Sequence, residues 1–195
     1  MGYTTDFDGR FELNKKLTPK LHDYLTKFSE TRRMARKLPK EFGVEGEFYV
    51  DGGGDFGQDR EPDIIDYNKP PVTQPGLWCQ WVPSEDGMGI EWNGGEKFYN
   101  YVEWITYITE NFLKPEGYVI NGMVSWQGED GGDVGVIEAR NNEIIAHEGV
   151  IDLVTDSELD KVTNELFEIL DVFNISVETR KKFLKRLESA INKGE

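Results

Sequence analysis

Helical periodicity occurs in only two stretches of residues 1–150, and this scarcity constrains the fold more than any other feature of the sequence. Thr18 is a typical N-cap and Pro19 suits the first helical position, and apolar residues follow at helical spacing. We predict that this helix runs to Leu38, because a proline follows and disfavours its continuation. The second helix is predicted over residues 98–112.

Between and after these helices, short segments alternate apolar and polar residues, as strands with one buried face do. A turn at residues 84–87 joins two of them into a hairpin, and a long irregular loop precedes the hairpin. Burial of these elements is simplest in a mainly antiparallel sheet with two helices on one face, so the predicted class is α+β. The predicted strands cover residues 7–14, 47–50, 77–82, 88–92, 118–127, 134–139 and 143–147.

The composition changes near residue 156, where two further amphipathic segments predict a C-terminal helical hairpin. We therefore divide the chain into an α+β core domain, residues 1–150, and a helical hairpin appendage, residues 156–195. Two amphipathic helices cannot bury their apolar stripes alone. Docking on the core domain and homodimerisation through residues 156–195 would both bury them, and the sequence leaves both open.

Charge and hydropathy exclude several classes of protein. The formal net charge is −15, whereas a protein that binds nucleic acid directly presents a basic face to the phosphates. No apolar run reaches the roughly 18 residues of a membrane span, and the N-terminus lacks the pattern of a signal peptide. We expect a cytoplasmic protein that binds neither nucleic acid nor membrane. The single cysteine leaves no internal disulfide and no zinc cage built from thiolates.

Motifs for the common catalytic mechanisms are absent, and the two histidines give a histidine-dependent mechanism little to use. Acidic clusters at residues 51–66 and 129–133 have the oxygen ligands for a hard cation or the carboxylates for an acid and base pair. Solvated acidic loops are the more common explanation. We assign no catalytic residue, no metal and no cofactor, and a hydrolase that uses Asp66, Glu96 or Glu129 remains an alternative.

Polar side chains occur beside aromatic ones at several points of the core domain. A pocket for a nucleotide or a sugar requires this combination, because aromatic faces stack on the ring while polar groups bond to its edges. Each residue taken singly also has a structural interpretation, as core packing or as loop capping. The predicted ligand-binding residues are Arg32, Arg33, Gln58, Asn68, Gln80, Trp81, Lys97 and Tyr99.

Two runs of sequence are distinctive: Gln-Pro-Gly-Leu-Trp-Cys-Gln-Trp at residues 74–81 and Gly-Gly-Glu-Lys-Phe-Tyr at residues 94–99. With shorter motifs at residues 2–7 and 126–130, they resemble a widespread family of uncharacterised proteins encoded by bacteriophages, prophages and related mobile elements. The resemblance covers residues 1–145 and implies no settled activity and no catalytic residues. It implies a context, since small phage proteins without catalytic motifs often counter host defence.

We therefore expect a non-catalytic binding protein of a phage or mobile element in the cytoplasm of the host cell. Its expected role is to counter host immunity by sequestering a nucleotide-like signal. The alternative is an acidic nucleic-acid mimic that inhibits a host defence protein through residues 51–66 and 129–133. A small hydrolase is the second alternative. The expected partner is accordingly a nucleotide-like small molecule or a host defence protein.

Overall fold

The structure is a computed structural model that describes residues 2–51 and 61–149. Residues 1–150 form one compact unit. Short 3₁₀ turns at Lys40–Phe42 and Lys114–Glu116 supplement the main elements. In chain order these are β1 (Thr5–Leu13), α1 (Pro19–Glu30), β2 (Ala35–Arg36), β3 (Ile64–Asp66), β4 (Trp81–Pro83), β5 (Gly89–Trp92), α2 (Tyr101–Ile108), β6 (Ile120–Gly128), β7 (Val134–Arg140) and β8 (Glu143–Gly149).

Six of the strands form one antiparallel sheet in the order β4-β5-β1-β6-β7-β8, and β2 pairs with β3 separately. Along β6, Ile120 and Val124 are buried, whereas Met123 is 62% exposed, so one face of the sheet is covered. Leu25 of α1 and Trp104 of α2 belong to the same buried cluster as these strand residues. The predicted α+β class, a mainly antiparallel sheet with two helices, is confirmed.

Glycine is required where β1 and β6 pass most closely. Gly9 has a φ of 104° and Gly122 a φ of 123°, which L side chains rarely adopt. A Cβ on Gly9 would lie 2.8 Å from the carbonyl oxygen of Met123.

Helix α1 begins as predicted and ends earlier. The Thr18 side chain accepts a hydrogen bond from the Leu21 N–H, and Pro19 occupies the first turn. The prediction that the helix runs to Leu38 is wrong, because the chain turns extended at Thr31. The Thr31 hydroxyl donates to the Lys27 carbonyl and accepts from the Asp51 N–H, which replaces the continuing helix with a tertiary contact.

The predicted strand at residues 47–50 is also wrong. These residues form a turn in which the Tyr49 N–H donates to the Gly46 carbonyl. The carbonyls of Glu47 and Tyr49 accept hydrogen bonds from the Arg33 guanidinium instead of pairing with a strand.

The second predicted helix has the right place and a different form. Residues 101–108 are α-helical, and a π-helical turn at Thr109–Leu113 follows. Phe98, the expected first apolar position, is buried in the loop before the helix. Among the described residues, no helix has the length and apolarity that a bilayer crossing demands. The predicted helical hairpin of residues 156–195 lies outside the described residues.

Candidate ligand-binding site

A cavity of about 560 Å³ lies between residues 68–80, which lead into β4, and residues 96–100, which lead into α2. We call it the Trp78 cavity. Its volume falls within the roughly 300–1,000 Å³ of small-molecule sites. Its apolar lining consists of Pro70, Pro75, Leu77, Trp78 and Tyr99, and its polar lining of Asn68, Gln80, Glu96, Lys97 and Asn100, with Gly76 between them.

One wall is built on prolines and on the Trp78 indole. Pro70 and Pro75 have a fixed φ, so this wall is largely preformed. The guanidinium carbon of Arg32 lies 5.9 Å from the centre of the Trp78 ring, and its Nε donates to the Tyr67 carbonyl at 3.2 Å. Arg32 therefore adds a positive charge behind the aromatic wall without lining the cavity itself.

Gln80 holds the opposite wall in place. Its Nε2 donates to the Glu96 carbonyl at 2.8 Å, and its Oε1 accepts from the Trp92 Nε1 at 3.0 Å. One end of the amide thus binds the loop that lines the cavity and the other end binds β5, so Gln80 links the two. The Asn68 carboxamide, in contrast, makes no hydrogen bond with any of the described residues.

The loop over residues 97–100 has an unusual backbone. Lys97 has a φ of 60° and Asn100 a φ of 55°, both in the left-handed region. This conformation costs about 1–3 kcal/mol for a residue such as lysine and persists only where its surroundings enforce it. Between these two residues, Phe98 is buried in the core, while Tyr99 is 53% exposed beside the cavity. The strained pair turns one aromatic residue inward and the next outward.

The N-terminal segment supports this loop from outside. The Tyr3 N–H donates to the Tyr99 hydroxyl at 3.2 Å, and Gly2 lies so close to the Lys97 side chain that a Cβ would come within 2.4 Å of it. The Tyr3 hydroxyl in turn donates to Asp133 at 2.6 Å, and this hydrogen bond is the main cause of its raised pKa.

The acidic turn at residues 129–133 therefore has internal partners. The Glu129 carboxylate accepts from the Thr4 N–H at 2.8 Å, and the Asp130 N–H donates to the Tyr3 hydroxyl. The other Asp133 oxygen accepts from the Trp126 Nε1 at 3.1 Å. These contacts fasten the N-terminus to the turn between β6 and β7.

The second acidic segment is only partly described. Arg36 is buried and forms ion pairs with Glu61 and Asp63, at 3.1 and 3.0 Å. Asp66 accepts from the Asn68 N–H and thereby shapes the start of the loop along the cavity. Within residues 2–51 and 61–149, no group of three or more acidic, histidine or cysteine side chains could hold a metal ion.

One buried indole near Gly76 has an unpartnered donor. Trp104 is fully buried in α2, and among the described residues its Nε1–H has no hydrogen-bond partner. A Cβ built on Gly76 would lie 3.5 Å from this nitrogen. Gly76 lines the cavity and Trp104 does not, so the indole belongs to the core beneath the cavity lining.

Four of the eight predicted ligand-binding residues line this one cavity. A fifth, Arg32, lies behind its wall. Two others, Arg33 and Trp81, lie in the interior, and Gln58 lies outside the described residues. The four lining residues are Asn68, Gln80, Lys97 and Tyr99.

Arg33 is 2% exposed, and each of its bonds is to the protein. Its guanidinium donates to Gln74 and to the carbonyls of Glu47 and Tyr49, and it lies 4.1 Å from the centre of the Phe28 ring. Burial lowers its pKa to about 10. The expectation that Arg33 contacts a ligand is corrected, since its donors are engaged by the Gln74 side chain and by two backbone carbonyls.

Trp81 is corrected for a similar reason. It is 1% exposed, its Nε1 donates to the Tyr101 carbonyl at 2.8 Å, and its ring packs against Phe7 and Phe11. Residues 77–82 alternate their faces, so the aromatic partner of Gln80 is Trp78, two positions before it. Strict use of this period would have found Trp78 from the sequence.

Comparisons of the chain with protein-family models, with curated proteins and with solved structures give no match. The site is therefore interpreted from its own geometry.

Proposed function

We propose that this chain is a non-catalytic binding protein that takes up a nucleotide-like ligand in the Trp78 cavity. The observation that supports the proposal is the meeting of Asn68, Lys97 and Tyr99 with the Trp78 indole around one cavity of about 560 Å³. The biological part of the proposal is that a phage or mobile element uses the protein to sequester a host signal and so counters immunity in the host cytoplasm.

The cavity has the parts that a nucleotide requires. Trp78 and Tyr99 line the cavity with side chains of the kind that stacks on a heterocyclic ring, and Asn68 offers a donor and an acceptor to the edge of such a ring. We assign the phosphate end to Lys97, whose side chain is half exposed and whose Nζ lies 3.9 Å from a Glu96 carboxylate oxygen. An exposed ion pair contributes little to stability, so a phosphate group competes readily with Glu96 for the ammonium.

The hydrolase alternative has less support. Glu96 is the one carboxylate among the residues described as lining the cavity. Glu129 accepts a hydrogen bond from the N–H of Thr4, just before β1, and Asp66 accepts one from the N–H of Asn68. A second carboxylate poised as acid or base is therefore lacking among the residues that line this cavity.

The mimic alternative is also weaker, since Glu61, Asp63, Glu129 and Asp133 of its two segments have internal partners. Glu61 and Asp63 neutralise a buried arginine, and the turn at residues 129–133 fastens the N-terminus. A surface that imitates phosphates needs carboxylates directed at the partner protein.

The test is calorimetric titration of the full chain with nucleoside monophosphates, nucleoside diphosphates and cyclic mononucleotides. We expect at least one to bind at 1:1 stoichiometry and to be recovered intact. Lys97→Ala and Trp78→Ala should each weaken binding by about ten-fold or more. Lys114→Ala is the matched control, because Lys114 is as exposed as Lys97 and also pairs with a glutamate, but does not line the cavity.

Two results would overturn the proposal. One is the absence of binding for every probe at millimolar concentration. The other is wild-type affinity in both cavity variants. Conversion of a bound nucleotide into product would favour the hydrolase instead. Native mass spectrometry of protein purified from its own host would show directly whether a small molecule or a host polypeptide accompanies it.

We also propose that residues 156–195 form a helical hairpin that supports homodimerisation or docks on the same chain. Light scattering of the full chain distinguishes these possibilities. A dimer that becomes monomeric in Leu166→Asp and Leu187→Asp variants would support homodimerisation, and a monomeric wild type would support docking.

A further inference from the structure

A second cavity, of about 340 Å³, lies between the start of α1 and the turns that follow α2. We call it the α1 cavity, and it shares no lining residue with the Trp78 cavity. Its volume is at the lower end of the roughly 300–1,000 Å³ of small-molecule sites, which suits a small ligand. Its lining consists of Thr18, Lys20, Leu21 and Tyr24 on the α1 side and of Asn111, Phe112, Pro115 and Glu116 on the other side.

Half of this lining is apolar or aromatic. Leu21 is buried, Tyr24 and Phe112 are partly buried, and the centres of these two rings lie 5.2 Å apart. Phe112 belongs to the π-helical turn Thr109–Leu113, and π-helical turns occur frequently at functional sites. Together with Pro115, these side chains offer an apolar surface to an aliphatic or aromatic group of a ligand.

The α1 side of the lining carries hydrogen-bond donors. Lys20 is exposed, and its ammonium forms no ion pair or hydrogen bond with any described residue. The Thr18 hydroxyl accepts from the Leu21 N–H, and its own proton is donated to none of the described residues. Helix α1 has no acidic residue in its first turn, and the N-terminal end of a helix favours negative charge. This side of the cavity therefore suits a carboxylate.

The other side carries hydrogen-bond acceptors. Asn111 Nδ2 donates to the Tyr107 carbonyl at 2.9 Å, and Asn111 Oδ1 accepts from no described residue. The Glu116 carboxylate likewise has no ion pair or hydrogen bond within the described part of the chain, since the nearby Lys15 Nζ donates to the Glu116 backbone carbonyl. A carboxylate and an amide oxygen suit an ammonium group.

We propose that the α1 cavity binds a free α-amino acid with an apolar side chain. The carboxylate of the ligand is directed to Lys20 and Thr18, and its ammonium to Glu116 and Asn111. One lysine and one glutamate make the lining neutral overall, as a zwitterion is, and the apolar part of the lining holds the ligand side chain. The site is separate from the Trp78 cavity, so it does not depend on the proposed function.

The first test compares ligands that share a phenyl group but differ in charge. L-Phenylalanine has both charges, 3-phenylpropanoate lacks the ammonium, and 2-phenylethylamine lacks the carboxylate. Chemical-shift titration of the ¹⁵N-labelled full chain measures each Kd. We expect a Kd of about 1 mM for L-phenylalanine and binding about three- to five-fold weaker for the other two, because exposed ion pairs contribute little each.

The chemical shifts also locate the site. We expect the changes at the residues that line the α1 cavity. Changes confined to the lining of the Trp78 cavity would overturn the inference. So would the absence of binding for L-phenylalanine, L-leucine and L-methionine at about 20 mM, which is far above the expected Kd.

Two variants that keep side-chain size test the orientation of the ligand. Lys20→Met should weaken L-phenylalanine and 3-phenylpropanoate about three- to five-fold and should not weaken 2-phenylethylamine. Glu116→Gln should weaken L-phenylalanine and 2-phenylethylamine by a similar factor and should not weaken 3-phenylpropanoate. Lys40→Met is the matched control, because Lys40 is exposed and does not line the cavity. Equal effects on all three ligands, or none, would overturn the inference.

Discussion

Arg33 and Trp104 both carry polar groups that lie away from solvent, and the protein treats the two groups differently. The Arg33 guanidinium is buried beneath the turn at residues 47–50, and its donors reach a glutamine oxygen and two carbonyls. The Trp104 N–H is buried in α2 and has no partner among the described residues. The guanidinium is satisfied by hydrogen bonds within the described residues, whereas the indole N–H is not.

Burial and internal hydrogen bonds separate structural from binding residues better than residue type does. Arginine and tryptophan are both enriched at binding hot spots. Here Arg33 and Trp81 are buried and have internal hydrogen bonds, whereas Trp78 lines the cavity. A buried polar group that the protein itself satisfies stabilises the fold, and a ligand contacts the side chains that line an open space.

The largest expected effect comes from removing the satisfied guanidinium. Arg33→Ala removes the donor of the Tyr49 carbonyl and of the Gln74 Oε1, removes one of the two donors of the Glu47 carbonyl, and empties a buried site. The free energy of unfolding should therefore fall by about 3–5 kcal/mol. Urea denaturation measures this. Arg32→Ala is the control and should change the free energy by about 0.5 kcal/mol or less. Similar losses in both variants would show that Arg33 is not the structural member of the pair.

A smaller effect compares the two fully buried tryptophans. Trp81→Phe and Trp104→Phe remove the same atoms, but only the Trp81 N–H has a hydrogen-bond partner. Trp104→Phe should therefore cost about 2 kcal/mol less stability than Trp81→Phe, because it also removes an unsatisfied donor. Thermal and urea unfolding of both variants give the difference. Equal costs would mean that the Trp104 N–H is already satisfied in the free protein.

The smallest effect concerns Cys79, which lies between the cavity residues Trp78 and Gln80 but faces the core. Burial raises the pKa of its thiol from an ordinary 9.0 to about 12. The contribution of the neutral thiol to stability is complete below pH 9 and is lost as the pH rises toward 12, because the unfolded thiol ionises first. Between pH 8 and pH 10 the loss should be about 1 kcal/mol.

Urea titrations at pH 8, 9 and 10 measure this loss, with Cys79→Ala as the reference. The pH slope of the wild type should exceed that of the variant. Equal slopes would place the thiol in contact with solvent, and the boundary between core and cavity would then lie elsewhere.

Local patterns predicted much of the fold. The start of α1 at Thr18 and Pro19 depends on a cap and a preset φ, which are properties of neighbouring residues. The hairpin around residues 84–87 and the three strands after residue 118 follow from alternation and turn residues in the same way. β4 is shorter than predicted, because Leu77, Trp78 and Gln80 border the cavity and precede the strand.

The candidate site was predictable in part. The occurrence of polar residues beside aromatic ones predicts four of the residues that line the cavity: Asn68, Gln80, Lys97 and Tyr99. The unpartnered Trp104 N–H could not be predicted, because it depends on which groups surround the indole in three dimensions.

The sequence by itself determined the α+β class, the start of α1 and the antiparallel strands, because these follow from interactions between residues close in the chain. Only the tertiary structure decided where α1 ends and which of two adjacent arginines is buried. The partners of Arg33 come from residues 47, 49 and 74, which lie far from it along the chain. Hydrogen bonds to these distant groups fix Arg33 just beyond the end of α1. Contacts with distant residues leave no local pattern in the sequence, so only the folded chain determines which side chains are buried and which hydrogen bonds they form.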